Sequence, residues 1–353
     1  MNEIKLGNRL VGEMHPPYFI ADIAANHDGD LIRAKELIWH AKEAGADCAK
    51  FQHFLADRIV NDVEFQKLES LETHQSTWKK SVSEIYDQYH FKREWTKEIY
   101  MECKKADIEF STSPYDIEAI KEVDQYVNFY KIGSGDITWI ELIEFMKSKK
   151  KPLILATGAS SLEDVNRAVD VIPGDSLILL QCNTNYTLEA GKHKFVNINV
   201  LNEYKNRFPN VILGLSDHTL GHGSVVGSIA LGARVIEKHF TDNNDREGPD
   251  HKFALNPEAW REMVDLGNEV FETLGDGVKK VEENEKNAFV VQRRSIVLKH
   301  SLSKGDQIKK EDLDFLRPCP KKSFHPFEQK LIIGQKLNKS KKAGESILKD
   351  DLC

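Results

Sequence analysis

The chain has 353 residues, with 49 Lys plus Arg against 56 Asp plus Glu, a formal net charge of −7. Hydrophobic residues make up 40% and charged residues 30%, which excludes a disordered chain and fits a folded one of about two domains. A mildly acidic chain without a dense basic stripe is a poor binder of nucleic acid or anionic membrane, so an anionic substrate must be held by cations inside a pocket.

The opening residues, Met1 to Lys5, lack the charged-then-apolar plan of a secretory signal, and no apolar run approaches the ~20 residues of a membrane span. Cys48, Cys103, Cys182, Cys319 and Cys353 form an odd set without a CxxC spacing, which points to a reducing, cytoplasmic setting rather than a disulfide framework or structural zinc. Short aliphatic or β-branched runs then recur at Tyr18–Ala24, Asp47–Gln52, Ile108–Ser113, Val127–Ile132, Pro152–Thr157, Leu177–Cys182, Val211–Ser216 and Ala233–Phe240. Stretches of helical period separate them, such as Leu31–Ala44 and Leu162–Val171. Apolar strands alternating with amphipathic helices predict a parallel sheet, and about eight units in roughly 250 residues predict a (β/α)₈ TIM barrel. A doubly wound sheet is the alternative, but no GxGxxG opens the first helix. The second connection, residues 53–95, is long enough to wall an active site and has its own expected helix near Trp78–Tyr89.

After Gly275 the texture changes. The barrel domain is expected over residues 1–278, a charged linker over 279–293 and a small second domain over 294–353. The pieces "KGDQIKKEDL" and "AGESILKDDL" in the tail form a weak internal repeat.

In a barrel of this kind the chemistry sits at the C-terminal ends of the strands. Those ends carry Asp22; Lys50 and Gln52; Ser113; Lys131, Ser134 and Asp136; Tyr186; Ser216 and His218; and His239. Two lysines in otherwise apolar runs need counter-charge, because a buried ammonium is costly. A shared phosphate or carboxylate ligand, helped by Ser113 and Ser134, supplies it; pairing with Asp22 or Asp136 is the structural alternative. His218 and His239 close the seventh and eighth strands, neighbours in a barrel, and two converging imidazoles can hold a divalent cation. The Ser216-Asp217-His218 run is not a catalytic triad, since successive strand residues alternate faces.

The segments "IADIAANHDGD" (20–30), "AGADCAKFQ" (44–52), "YKIGSGD" (130–136), "LATG" (155–158), "QCNTNY" (181–186), "GLSDHT" (214–219), "ALGARVIEKHFT" (230–241) and "GPD" (248–250), with "RRSIV…KGD…DLDFLRP" in the tail, together resemble the sialic acid (N-acetylneuraminate) synthase family. That family includes the legionaminic and pseudaminic acid synthases. The resemblance spans nearly the whole chain and implies a C-terminal antifreeze-like (β-clip) domain. It implies condensation of phosphoenolpyruvate (PEP) with an N-acyl hexosamine such as N-acetylmannosamine, giving a nine-carbon 2-keto-3-deoxy acid and phosphate.

By the same resemblance, Asp22, Lys50, Lys131, Asp136, His218 and His239 are the catalytic residues. Lys50, Ser113, Lys131, Ser134 and Ser216 hold PEP, and Gln52, Tyr186, Asp250 and Arg317 hold the sugar. His218 and His239 ligate Mn²⁺ or Mg²⁺, and Arg317 reaches the other site of a domain-swapped homodimer. Asp22 stands where the family usually has Glu, and Ala156 where it has Ser. A catalytically impaired sugar- or PEP-binding homologue, and another PEP- or pyruvate-using aldol-type enzyme, remain the alternatives.

Overall fold

The computed structural model describes residues 2–68, 75, 78, 80–185 and 192–353. They form two compact units, one ending at Gly275 and one running from Asp276 to Cys353. The first opens with an antiparallel hairpin, β1 (Glu3–Leu6) and β2 (Arg9–Gly12), turned at Gly7 with φ +58°. Among the described residues, eight parallel strands follow: β3 (Tyr18–Asp22), β4 (Cys48–His53), β5 (Glu109–Pro114), β6 (Tyr130–Ile132), β7 (Leu153–Ala156), β8 (Leu177–Cys182), β9 (Ile212–Asp217) and β10 (Val235–His239). Hydrogen bonds link them in the order β5-β4-β3-β10-β9-β8-β7-β6, and β5 lies against β6 across the remaining seam. The expected barrel is what forms.

The intervening helices are α1 (Leu31–Glu43) after β3; α2 (Ala56–Ile59), α3 (Asp62–Lys67), α4 (Val82–Tyr89) and α5 (Thr96–Lys105) after β4; then α6 (Ile117–Val123), α7 (Ile140–Lys147), α8 (Leu162–Asp170), α9 (Val200–Arg207), α10 (Gly223–Ala230) and α11 (Pro257–Thr273). Their starts are written in the sequence. Asp30 caps α1 by accepting from the Ile32 and Arg33 amides, and Ser161 with Asp164 makes a capping box on α8. Asn256 caps α11, with Pro257 in its first turn. None of the described helices is long and apolar enough to cross a membrane.

Two apolar layers result from the alternation of side chains along each strand. The outer one packs helix residues such as Leu37, Leu142 and Trp260 on Phe19, Ala49 and Leu179. The inner one fills the barrel with Tyr18, Ile20, Phe129, Ile154, Ile178, Leu180 and Val235, joined by Ile4, Leu6 and Val11 of the hairpin. The hairpin therefore stops the N-terminal end of the barrel, and the strand C-termini carry the opening.

In the second unit, β11 (Ser295–Leu298) pairs antiparallel with β12 (Leu313–Leu316) over a core of Ile296, Leu298, Ile308, Leu313, Phe324, Ile332, Leu337 and Ile347. Helices α12 (Lys286–Gln292) and α13 (Gln329–Ile332) belong to it. The suspected repeat is physical. Gly305 and Gly344 both take positive φ, +92° and +83°, three residues before the buried Ile308 and Ile347. Four residues further on, Asp312 accepts from the Lys309 amide at 2.7 Å and Asp351 from the Leu348 amide at 2.8 Å. The charged run Lys279–Lys286 is exposed throughout.

Several boundaries differ from the sequence reading. The opening hairpin is not foreseen, because its four-residue strands carry mixed polarity. The fourth expected strand shortens to Tyr130–Ile132, and the insertion helix begins at Val82, where Ser81 and Glu84 form a capping box.

Candidate functional site

The register of three neighbouring strands sets the first part of the site. His239 of β10 stands opposite Asp22 of β3, and Asp22 opposite Lys50 of β4. Asp22 and His239 end their strands, Lys50 lies within β4, and all three face the inner side of the barrel mouth and line a cavity of about 460 Å³, a volume typical of a small-molecule site. Gln52 and Ser113 from β4 and β5, Lys131, Ser134 and Asp136 from β6 and its following turn, Ser216 from β9 and His218 directly after it line the same cavity. So does Asp250, in the loop after β10, where its carboxylate accepts from the Ala25 amide at 3.2 Å. Tyr186 lies outside the described residues. Arg317 follows β12 in the second unit, with its side chain exposed.

The lysines are not left without protein partners, and here the expectation is corrected. Lys50 Nζ lies 2.8 Å from Asp22 and 3.8 Å from Glu237, and Lys131 Nζ lies 3.2 Å from Glu237. Lys131 pairs with Glu237 rather than with Asp136. Ser216 Oγ also donates to Glu237 at 3.1 Å, and Gln52 Nε2 donates to Asp22 at 3.2 Å. The shorter Asp22 side chain thus still reaches Lys50 and Gln52.

Glu237 is the residue that sequence reading missed. It stands two residues before His239, and a strand period of two puts both on the inner face; that spacing was the available signal. Lys238, between them, points to the outer face and forms a buried ion pair with Asp217 behind the two histidines.

Burial sets the protonation states. It pushes the Glu237 carboxyl up, but the charges of Lys131 and Lys50, with hydrogen bonds from Lys131 and Ser216, outweigh it and hold the group at about 2. Burial lowers the Lys50 amine, and Asp22 and Glu237 more than reverse this, so it stays a cation. A Schiff-base aldolase needs a neutral amine, which this environment opposes. Burial raises Asp136 to about 6 against the pull of Lys131, placing it close to neutrality.

Burial brings His218 and His239 to about 4, so both imidazoles are neutral and keep a lone pair. Their ring centroids are 5.4 Å apart. His218 Nδ1 lies 3.0 Å from the Asn183 carbonyl, so this nitrogen carries the proton and Nε2 the lone pair. The Asp22 carboxylate is 3.9 Å from His239 Nε2. Among the described residues no group of three or more His, Cys, Asp or Glu is arranged to hold a metal. The two neutral imidazoles thus face the cavity as a pair, with Asp22 near His239.

The comparisons with known proteins agree with this architecture. Residues 37–279 match the NeuB family and residues 293–352 the SAF domain. The chain is 35% identical to the N,N'-diacetyllegionaminic acid synthase of Legionella pneumophila over 343 residues, 94% of this chain and 93% of that one. It is 29% identical to the human N-acetylneuraminate-9-phosphate synthase, over 97% and 94% of the two chains. A crystal structure of the N-acetylneuraminic acid synthetase of Leptospira borgpetersenii superposes with a TM-score of 0.71 at 25% identity, covering 81% of this chain and 94% of that one. The strand-mouth motifs, the barrel and the C-terminal domain lead to one conclusion: the chain belongs to the NeuB family and ends in a SAF domain.

Proposed function

We propose that the cavity condenses PEP with the open-chain aldehyde of an N-acyl hexosamine to a nine-carbon 2-keto-3-deoxy acid. One observation carries this reading: two buried ammoniums and two neutral imidazoles converge in a single cavity at the mouth of a NeuB-family barrel.

Lys50, Lys131, Ser113, Ser134 and Ser216 bind the phosphate and carboxylate of PEP. Ser134 Oγ accepts from the Gly158 amide at 2.9 Å, which fixes it at the cavity lining. Gln52 and Asp250 hold the sugar hydroxyls and amide, and Asp22 orients the aldehyde end. C3 of PEP bonds to the aldehyde carbon, whose oxygen takes up a proton. Water adds to C2, losing a proton to Asp136, and the tetrahedral intermediate expels phosphate by breaking the C2–O bond. A divalent ion held by His218 and His239, Mn²⁺ or Mg²⁺, supplies Lewis acidity toward the aldehyde oxygen.

The working unit in this proposal is a domain-swapped homodimer with a barrel over residues 1–278, a linker over 279–293 and a tail over 294–353. Arg317 of each tail contacts the N-acyl group in the other site.

Phosphate release and product mass, measured with PEP, Mn²⁺ and a panel of N-acyl hexosamines, test the reaction. A product heavier than the sugar by the pyruvyl unit is expected, and silence across the panel sinks the reading. The same assay on mixed Arg317→Ala and Lys50→Met chains tests the shared site: partial recovery is expected, and none counts against the swap.

Because Asp136 must be ionised to take the proton, kcat/KM is expected to fall about tenfold per pH unit below roughly pH 6. Asp136→Asn is expected to lower the rate roughly 10²–10⁴-fold and to flatten that acid limb. An unchanged limb in the variant assigns the titration elsewhere.

A further inference from the structure

Behind the two histidines, on the outer face of the barrel, lies a second charged pair that the proposed chemistry does not use. Lys238 and Asp217 stand opposite each other in the register of β10 and β9, and each directly precedes one of the histidines. Their side chains are 0% and 1% exposed, and they form an ion pair. Neither lines the cavity.

The contacts of this pair close around His218. Asp217 precedes that residue, and its carboxylate accepts from the amide of Thr219, which follows it, at 3.2 Å. It also accepts from the Thr219 hydroxyl at 2.9 Å and from the hydroxyl of Ser224, in the first turn of α10, at 2.8 Å. Lys238 Nζ donates to Asp217, to the Thr219 carbonyl and, at 3.4 Å, to the Gly221 carbonyl. The chain on both sides of His218 is thereby tied to the residue before His239. The ring has its own anchor, the Asn183 carbonyl 3.0 Å from Nδ1. With peptide and ring both held, the two imidazole centroids lie 5.4 Å apart at an interplanar angle of 46°.

Stability alone is a poor reason for such a pair. Removing both charges from water costs about as much as their attraction returns, and apolar residues of like volume fill a core as well. Apolar residues do not supply direction. An ammonium and a carboxylate, each making several hydrogen bonds, fix several loop atoms at once.

We propose that Asp217 and Lys238 are positioning residues, which set the spacing and ring orientation of His218 and His239 from behind. The consequence for a divalent ion rests on the reading of the cavity given above, whereas the geometric claim concerns the metal-free protein.

The double variant Asp217→Asn/Lys238→Met removes both charges and strands neither. In metal-free, full-length protein labelled with ¹⁵N-histidine, the parent is expected to show His218 as the Nδ1–H tautomer. The double variant is expected to move that resonance toward a mixture of tautomers. Mn²⁺ binding to the substrate-free protein, followed by electron paramagnetic resonance, is expected to weaken roughly 10–100-fold, the usual cost of losing partners behind metal ligands. PEP affinity measured without metal is expected to persist, because Lys50 and Lys131 are untouched.

A pair that only stabilises the barrel moves the thermal midpoint and leaves the tautomer and the Mn²⁺ affinity alone. An unchanged His218 resonance, or Mn²⁺ bound equally by parent and variant, therefore overturns the proposal. A parent that binds no Mn²⁺, with the resonance shift present in the variant, removes the metal reading and leaves the positioning role standing. Should the double variant fail to fold, Thr219→Val keeps both charges and removes one donor to Asp217. It is expected to show the same resonance shift in part, with Mn²⁺ affinity down roughly two- to tenfold. No change in either measurement overturns the proposal.

Discussion

Lys50→Met is expected to remove activity and stability together, through different neighbours. In the folded protein this ammonium is the partner of Asp22 and the second partner of Glu237, all nearly without solvent contact. Truncating it leaves buried carboxylate charge uncompensated, which costs about 3–5 kcal/mol of stability. In the proposed reaction the same change also withdraws a charge-assisted donor from PEP, and kcat/KM is expected to fall at least about 10²–10³-fold. The two effects separate in the double variant Asp22→Asn/Lys50→Met. Denaturant unfolding is expected to recover a large part of the lost stability there, because the removed charges were each other's partners, while activity stays absent. A single variant as stable and active as the parent would show that the ion pair neither supports the barrel mouth nor meets a substrate.

His218→Ala and His239→Ala form the second large prediction, with the opposite balance. Both imidazoles are neutral, so removing either strands no charge, and the thermal midpoint is expected to change little. Turnover is expected to drop at least roughly a thousandfold in each variant, the scale of losing an electrophilic stabiliser. Mn²⁺ binding to the substrate-free protein, followed by electron paramagnetic resonance, is expected to weaken in both. Undiminished turnover of the parent in EDTA would remove the metal from the reaction.

Much of the site is legible because strand chemistry has a period of two and a fixed polarity. A lysine inside an apolar run, as at Lys50 and Lys131, marks an inward position near a strand end before any coordinates exist. The same period would have identified Glu237, which stands two residues before His239 on the same face. Which carboxylate meets which ammonium was not legible, since pairing across the barrel depends on register and on closure. Of the alternative that the lysines pair with Asp22 or Asp136, Lys50 takes Asp22, whereas Lys131 takes Glu237.

The ring pair of Phe54 and Tyr86, which lines the cavity, was hidden for a different cause. Its residues come from a connection whose length announces importance but whose path is set by α4 and its cap, not by any strand repeat. The tail was legible at the level of its repeat, where Gly305 with Ile308 and Gly344 with Ile347 occupy equivalent turns and core positions.

The hairpin of β1 and β2 has a kinetic corollary. By packing Ile4, Leu6 and Val11 beneath the inner apolar layer, it closes one end of the barrel, so among the described residues the cavity is entered from the strand C-termini. In the proposed condensation, a reactant seated on the floor would have to arrive before the one above it, and its leftover fragment would leave after the larger product.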